Sequence, residues 1–296
     1  MKVVISFVVF FIITSCTVKN PNYKPSNYVL DHYRNFSSFT EPGDFGYLFN
    51  HLPTSLENLC GVIKKQLVHP FDVKIFGGEI PKDREFEDHD FPTVSLMLKE
   101  LLQRNENGLI EKRKPEERLV VACVHHSMLL ASILRYREIP VRIRAGFAKY
   151  IGYRKDIKVS HAICEVWDES HNKWILVDPD RNKVDFSYNE FEFAFETWNY
   201  IRKNKVARSK YVSRYGDVVP ATIHLLIHDL SYTIGEEKSY WIDPQIVSRS
   251  SGGISEMTKN ELDVLDSLAL YLSSPDKHLK DLQQIAEENA FLQITE

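Results

Sequence analysis

The sequence predicts an α+β fold, a central helix packed on a small antiparallel sheet with further helices flanking it. Three observations lead there. Almost every position from Met128 to Leu134 is apolar, the pattern of a helix covered on most sides. Three strand-like segments follow it, "VRIRAGFAKY", "SHAICEVWD" and "KWILVD", the last two joined by the short polar turn "ESHNK" that suits an antiparallel hairpin. Helical periodicity precedes this block and resumes beyond Pro179.

The N-terminus is of a different character. Lys2 is followed by an apolar run from Val3 to Ile13 and then by small polar residues ending at Cys16. The run falls well short of the roughly 20 residues that span hydrocarbon and has the length of a signal-peptide core. Residues 1–15 are therefore read as a signal peptide. Ile13, Thr14, Ser15 and Cys16 resemble a bacterial lipobox, which implies lipidation at Cys16 and an exported protein held on a membrane of a bacterial envelope. Residues 16–40 begin with "TVKNPNYKPSNY", polar and proline-containing, and read as a tether.

The main domain is placed at residues 41–230, with 231–296 as a C-terminal helical extension packed on it. Thr54 with Glu57 has the spacing of a capping box, and Leu56, Leu59, Cys60, Ile63 and Leu67 recur at helical spacing after it. Cys60 is thus on an apolar face. A second helix is expected at "TVSLMLKELLQRN", and "GLIEKRKPEERL", broken by Pro115, is a solvated connection. Beyond the strands, "SYNEFEFAFETWNYIRKNK", "VPATIHLLIHDLSY", "TKNELDVLDSLALYL" and "DKHLKDLQQIAEEN" read as helical, the third capped by Thr258 and Glu261.

With 37 basic and 41 acidic side chains the net charge is −4, evenly spread, which gives no basis for binding nucleic acid. Chemistry is concentrated instead around Cys123, at the head of the central helix. A helix N-terminus and a neighbouring imidazole are the usual means of turning a thiol into a nucleophilic thiolate. His161 begins the middle strand and Asp178 ends the next, so an antiparallel hairpin brings the two together. Trp174 shares the face of Asp178 and is expected to shelter its carboxylate.

In order and spacing, Cys123 with His126 and Ser127, "REIPVRIRAGF", "SHAICEVW" and "KWILVDPD" resemble the transglutaminase-like (transglutaminase/protease-like) superfamily. The resemblance implies a papain-like core, with Cys123 as nucleophile, His161 as base and then acid, and Asp178 as the residue orienting His161. The Cys123 backbone N–H would supply part of an oxyanion hole, its second donor coming from an unplaced upstream residue. The implied activity is thiol acyl transfer on amide bonds of a peptide or protein through a thioester, hydrolysis ahead of crosslinking. A non-catalytic binding lipoprotein that keeps the fold is the alternative.

His125 and His126 do not make a metal site with Cys123, because successive helical residues point about 100° apart. No metal or cofactor is called for. His125 is expected to face solvent and His126 to pack near the site. Glu165 is expected to pair with Arg142 or Arg144, and Asp180 is the substitute for Asp178 should the strand register differ. His224, His228 and Asp229 read as parts of a buried helix.

Overall fold

The computed structural model describes residues 24–73, 80, 84, 86–109, 113–152, 154 and 156–294. The signal segment 1–15 and Cys16 lie outside the described residues. The protein is α+β, and its sheet is largely antiparallel.

Folded structure begins inside the stretch 16–40 read as tether. Its described part opens with α1 (Asn27–Arg34), whose Val29, Leu30 and Tyr33 are buried beside Trp167, Trp174 and Leu279. The polar residues around them dilute the signal, but three apolar side chains on one face are enough to seat a short helix on two tryptophans. In α2 (Leu56–Gln66) the cap is Ser55, whose hydroxyl accepts the Asn58 N–H at 3.4 Å, rather than the Thr54–Glu57 box. Cys60 is on its buried face as expected. α3 (Val94–Arg104) is capped by Thr93.

Two very short strands, β1 (Leu67–Val68) and β2 (Leu119–Val120), pair in parallel just before α4 (Cys123–Tyr136). In α4 every residue from Cys123 to Arg135 is buried, which makes it the central helix. The main sheet comprises β3 (Val141–Ala148), β4 (Lys158–Asp168), β5 (Lys173–Asp178), β6 (Lys183–Val184), β7 (Phe191–Phe193) and β8 (Tyr211–Val212). Its order is β6-β5-β4-β3-β7, with β8 running parallel to the start of β4.

The segment "SYNEFEFAFETWNYIRKNK" is α-helical only from Ala194, after a single 3₁₀ turn at Tyr188–Glu190. Phe191, Glu192 and Phe193 form β7, opposite Ala148, Phe147 and Gly146, and the helix α5 (Ala194–Arg202) follows. Alternation of large apolar and polar side chains over these three residues favours a strand edge, and tertiary pairing overrides the helical tendency. Gly146 permits that pairing, since a Cβ there would lie 2.3 Å from the Glu192 carbonyl oxygen.

The remaining helices are α6 (Val218–Thr233), α7 (Gln245–Arg249), α8 (Lys259–Leu272) and α9 (Pro275–Glu288). Thr258 and Glu261 form the expected capping box on α8. Leu265, Leu268, Leu272 and Leu282 of this C-terminal region share one apolar cluster with α4 and with Ile143, Ala145, Ala162 and Cys164 of the sheet. A smaller cluster of Ile163, Leu176, Phe186, Phe191 and Phe193 covers the opposite face. Among the described residues no helix is long and apolar enough to cross a membrane.

Candidate active site

Cys123 is the first residue of α4, and Ala122 before it offers no side-chain cap. That deficit is made good from elsewhere in the chain. Asp88, fully buried, accepts the Ala122 N–H at 2.7 Å, and its neighbour Glu87 accepts the Val120 N–H at 2.7 Å. On the other flank the Val121 N–H donates to the Val68 carbonyl at 3.0 Å, extending the β1–β2 pairing. The approach to the cysteine is thus held from both sides. As the first helical residue, Cys123 has a backbone N–H with no acceptor inside the helix.

His161 is placed by a change of partner along β4. Cys164 to Asp168 pair with β5, whereas Lys158 and Val159 pair with β8 on that same edge. His161 falls between these two pairings, where the sheet parts and the head of α4 reaches it. On the other edge it is opposite Gly146 of β3. The register of β5 runs with Cys164 opposite Val177, so Asp178 is on the face of His161 and diagonal to it.

The resulting geometry is tight. His161 Nε2 is 2.8 Å from Asp178 Oδ2, and both side chains are almost fully buried. The Tyr150 hydroxyl donates to the same carboxylate oxygen at 2.7 Å, while the Arg181 N–H donates to Oδ1 at 3.0 Å. With Nε2 given to Asp178, His161 presents Nδ1 to the Cys123 sulfur. Burial alone would raise the Cys123 thiol, but the His161 charge, its hydrogen bond and a further hydrogen bond from His69 bring it down to about 6. Burial would likewise lower His161, yet the charges of Asp178 and Cys123 and its bonds to both hold the imidazole well above its ordinary value. Both shifts favour a thiolate beside an imidazolium.

Tyr150, not Trp174, shelters Asp178. Trp174 is on the expected face but lies further along it, against the Arg142 guanidinium at 4.2 Å and Tyr33 at 5.6 Å. Glu165 takes Arg142 and Arg144 at 2.6 and 2.8 Å, as its position implied. Asp180 is not the partner of His161; its Oδ1 is 3.8 Å from His126 Nε2, and the Arg181 guanidinium is 3.3 Å from its other oxygen. His126 itself donates from Nδ1 to the Ala122 carbonyl at 3.2 Å, and burial holds it down to about 4. His125 does not face solvent. It is buried with Nδ1 3.1 Å from Asp88, because the helix that carries it is covered on every side.

His69 was not singled out by spacing, and it is the second imidazole at the sulfur. It follows β1 directly, so the β1–β2 register sets it beside Val121, two residues ahead of Cys123. A two-residue strand has no periodicity to read, and "LVHPF" carries no motif that would have found it. Tyr232 and Tyr240, also unremarked in sequence, lie near enough that the charge of a Cys123 thiolate adds to burial in raising both hydroxyls. His224 and His228 hold the segment bearing Tyr240: His224 Nδ1 is 3.3 Å from Asp243 Oδ1, and His228 Nε2 donates to the Ile242 carbonyl at 3.1 Å. Asp229 pairs with Arg144 at 2.9 Å.

Among the described residues no three His, Cys, Asp or Glu side chains are grouped as a metal ion would need. Compared with known proteins, the chain matches no family model, no curated protein and no solved structure.

Proposed function

We propose that the protein is a thiol acyl-transfer enzyme of transglutaminase-like type with a papain-like core, acting on amide bonds of a peptide or protein. The observation that carries this reading is the order Cys123, His161, Asp178 in space. A thiol held down to about 6 meets one nitrogen of an imidazole whose other nitrogen is 2.8 Å from a buried carboxylate. That is the arrangement in which a nucleophile is activated by a base and the base is oriented by a third group.

The Cys123 thiolate attacks the carbonyl carbon, and the S–C bond forms as the carbonyl electron pair moves to oxygen. His161 then gives its Nδ1 proton to the departing amine, the C–N bond breaks and a thioester remains. In the second half His161, now neutral, takes a proton from water as its oxygen bonds to the thioester carbon; the C–S bond then breaks, the carboxylic acid leaves, and the thiolate and imidazolium are restored. Hydrolysis is placed ahead of crosslinking because water needs no acceptor site of its own. No cofactor or metal enters these steps.

The lipobox-like Cys16 behind a short apolar run supports an exported lipoprotein tethered to a membrane of the bacterial envelope, with its substrate outside the cytoplasm. Incubation of the full chain with a thiol-directed acyl probe, followed by peptide mapping, tests the enzymatic reading. Label confined to Cys123 in the wild type and absent from Cys123→Ala is the expected result. A wild type that stays unlabelled would instead favour a binding lipoprotein that retains the fold.

A further inference from the structure

We infer that His69 is a catalytic residue, the second donor of the oxyanion hole, whose Nε2–H acts with the Cys123 backbone N–H on the oxygen of the attacked carbonyl. The assignment rests on the acyl-transfer reading above and adds to it a role for a residue outside the Cys123, His161 and Asp178 set.

The two imidazoles at the sulfur are held in opposite senses. His161 gives Nε2 to Asp178, so Nδ1 faces the sulfur and is free to take and return a proton. His69 is turned the other way. Its Nδ1 accepts the Phe71 N–H at 3.3 Å, which leaves Nε2 for the hydrogen bond with Cys123. A neutral ring whose Nδ1 is an acceptor must carry its hydrogen on Nε2, and a charged ring carries one there as well. In either state His69 offers a donor toward the reacting atoms. Among the described residues its Nδ1 is met by a backbone N–H, whereas Nε2 of His161 is met by a carboxylate.

Its position also suits the incoming carbonyl. Cys123 and His161 are 5% and 2% exposed, whereas His69 is only half-buried and the neighbouring Phe71 is 74% exposed. Of the two imidazoles at the sulfur, His69 is thus the one nearer to solvent. The turn that carries it is fixed at both ends: β1 pairs with β2 before it, and Asp72 after it binds Arg181 at 2.7 Å. Arg181 is the same residue whose backbone N–H holds Asp178. A donor held this way needs no reorganisation when the charge forms, which is what makes such groups effective.

When the thiolate attacks, the S–C bond forms and the carbonyl pair moves to oxygen, between His69 Nε2–H and the Cys123 N–H. The pair returns to carbon as the bond to the leaving group breaks, and His161 supplies that group's proton. His69 gives up no proton over the cycle.

The test uses the full chain with p-nitrophenyl acetate, reading p-nitrophenolate release and acetyl mass on Cys123 across pH. Iodoacetamide serves as a second probe, since it consumes the same thiolate without making an oxyanion. His69→Phe keeps a ring of similar size and removes the donor; His69→Gln restores a donor. The expected result is a fall of about 10²- to 10³-fold in the plateau rate of acetylation for His69→Phe. Its iodoacetamide plateau should stay within a few-fold of wild type, and His69→Gln should recover at least tenfold of the acetylation. Should His69→Phe fail to fold, His69→Ala takes its place. Acetylation of His69→Phe at the wild-type rate, or equal losses with both probes, would overturn the role of His69 and leave the acyl-transfer reading intact. A wild type that gains no acetyl group on Cys123 would remove the reading itself and the assignment with it.

Discussion

His161 Nε2 and Asp178 Oδ2 approach to 2.8 Å across neighbouring strands, and the Tyr150 hydroxyl closes on the same oxygen at 2.7 Å. The carboxylate is therefore fully engaged and buried. It fixes which nitrogen of His161 carries the hydrogen, and through that nitrogen it sets the state of Cys123 on the other side.

Asp178→Asn is expected to leave the fold in place and to turn His161 toward the wrong tautomer, because an amide can meet Nε2 with a donor as readily as an acceptor. The rate of acyl transfer should fall roughly 10²- to 10⁴-fold. Comparison of kcat/KM with the thermal midpoint checks this, since a rate loss with an unchanged midpoint separates misorientation from unfolding.

Alkylation of Cys123 by iodoacetamide should rise through a midpoint near pH 6, where the thiolate forms, and not near its ordinary value of 9.0. The sign follows from the thiolate being the reactive form, so that rates fall in acid. Cys60, pushed up to about 12 by burial first and then by the Asp178 and Glu57 charges, should remain unlabelled at neutral pH. Cys164 is raised further by burial and should also stay silent. Peptide mapping after a short pulse at pH 7 measures all three together, and label on Cys60 or Cys164 would contradict the assignment.

Arg144→Met should destabilise the protein by about 3–5 kcal/mol, the usual consequence of leaving a buried carboxylate without its partner. Arg144 and Asp229 are both buried, with Nε to Oδ1 at 2.9 Å, and Asp229 also holds the Ala145 N–H at 2.9 Å on β3. Urea unfolding gives the difference. Loss below about 1 kcal/mol would mean that Asp229 finds another counter-charge or takes up a proton.

Stability should decline as pH falls from 6.5 toward 4. His126 and His224 are each held down to about 4, in both cases chiefly by burial, and His228 is also held low by burial and by the charge of His224. Their folded values lie below the unfolded one, so their contribution is complete above pH 6.5 and is lost as they take up protons in acid. His161 is shifted the opposite way, so its contribution grows slightly as the unfolded imidazole takes up its proton just below pH 6.5 and is constant further into acid, where it is protonated in both states. Urea midpoints at half-unit steps measure the fall, and His224→Gln should make it shallower.

Much of the fold was readable because its elements are long enough to show a period. The apolar run of α4, the alternation of β4 and β5 and the Thr258–Glu261 cap of α8 are local patterns. Where elements are short, pattern fails. β7 has three residues and hid inside a helical segment until its pairing with Gly146, Phe147 and Ala148 was seen. α1 has three buried side chains in a polar stretch, and only Trp167 and Trp174 make burying them worthwhile.

The sequence by itself put Cys123 at the head of a helix, Asp178 at the end of a strand and His161 in the strand before it, since those elements have a visible period and a short turn joins the two strands; β4 begins at Lys158, three residues ahead of the expected start at His161. The tertiary structure alone decided that Asp88 stands in for a missing cap, that Tyr150 and not Trp174 covers Asp178, and that His69 is the second imidazole at the sulfur. These contacts join residues far apart in the chain through strands of two residues or single hydrogen bonds. Their partners are selected by the closure of the whole core, which no local window of sequence records.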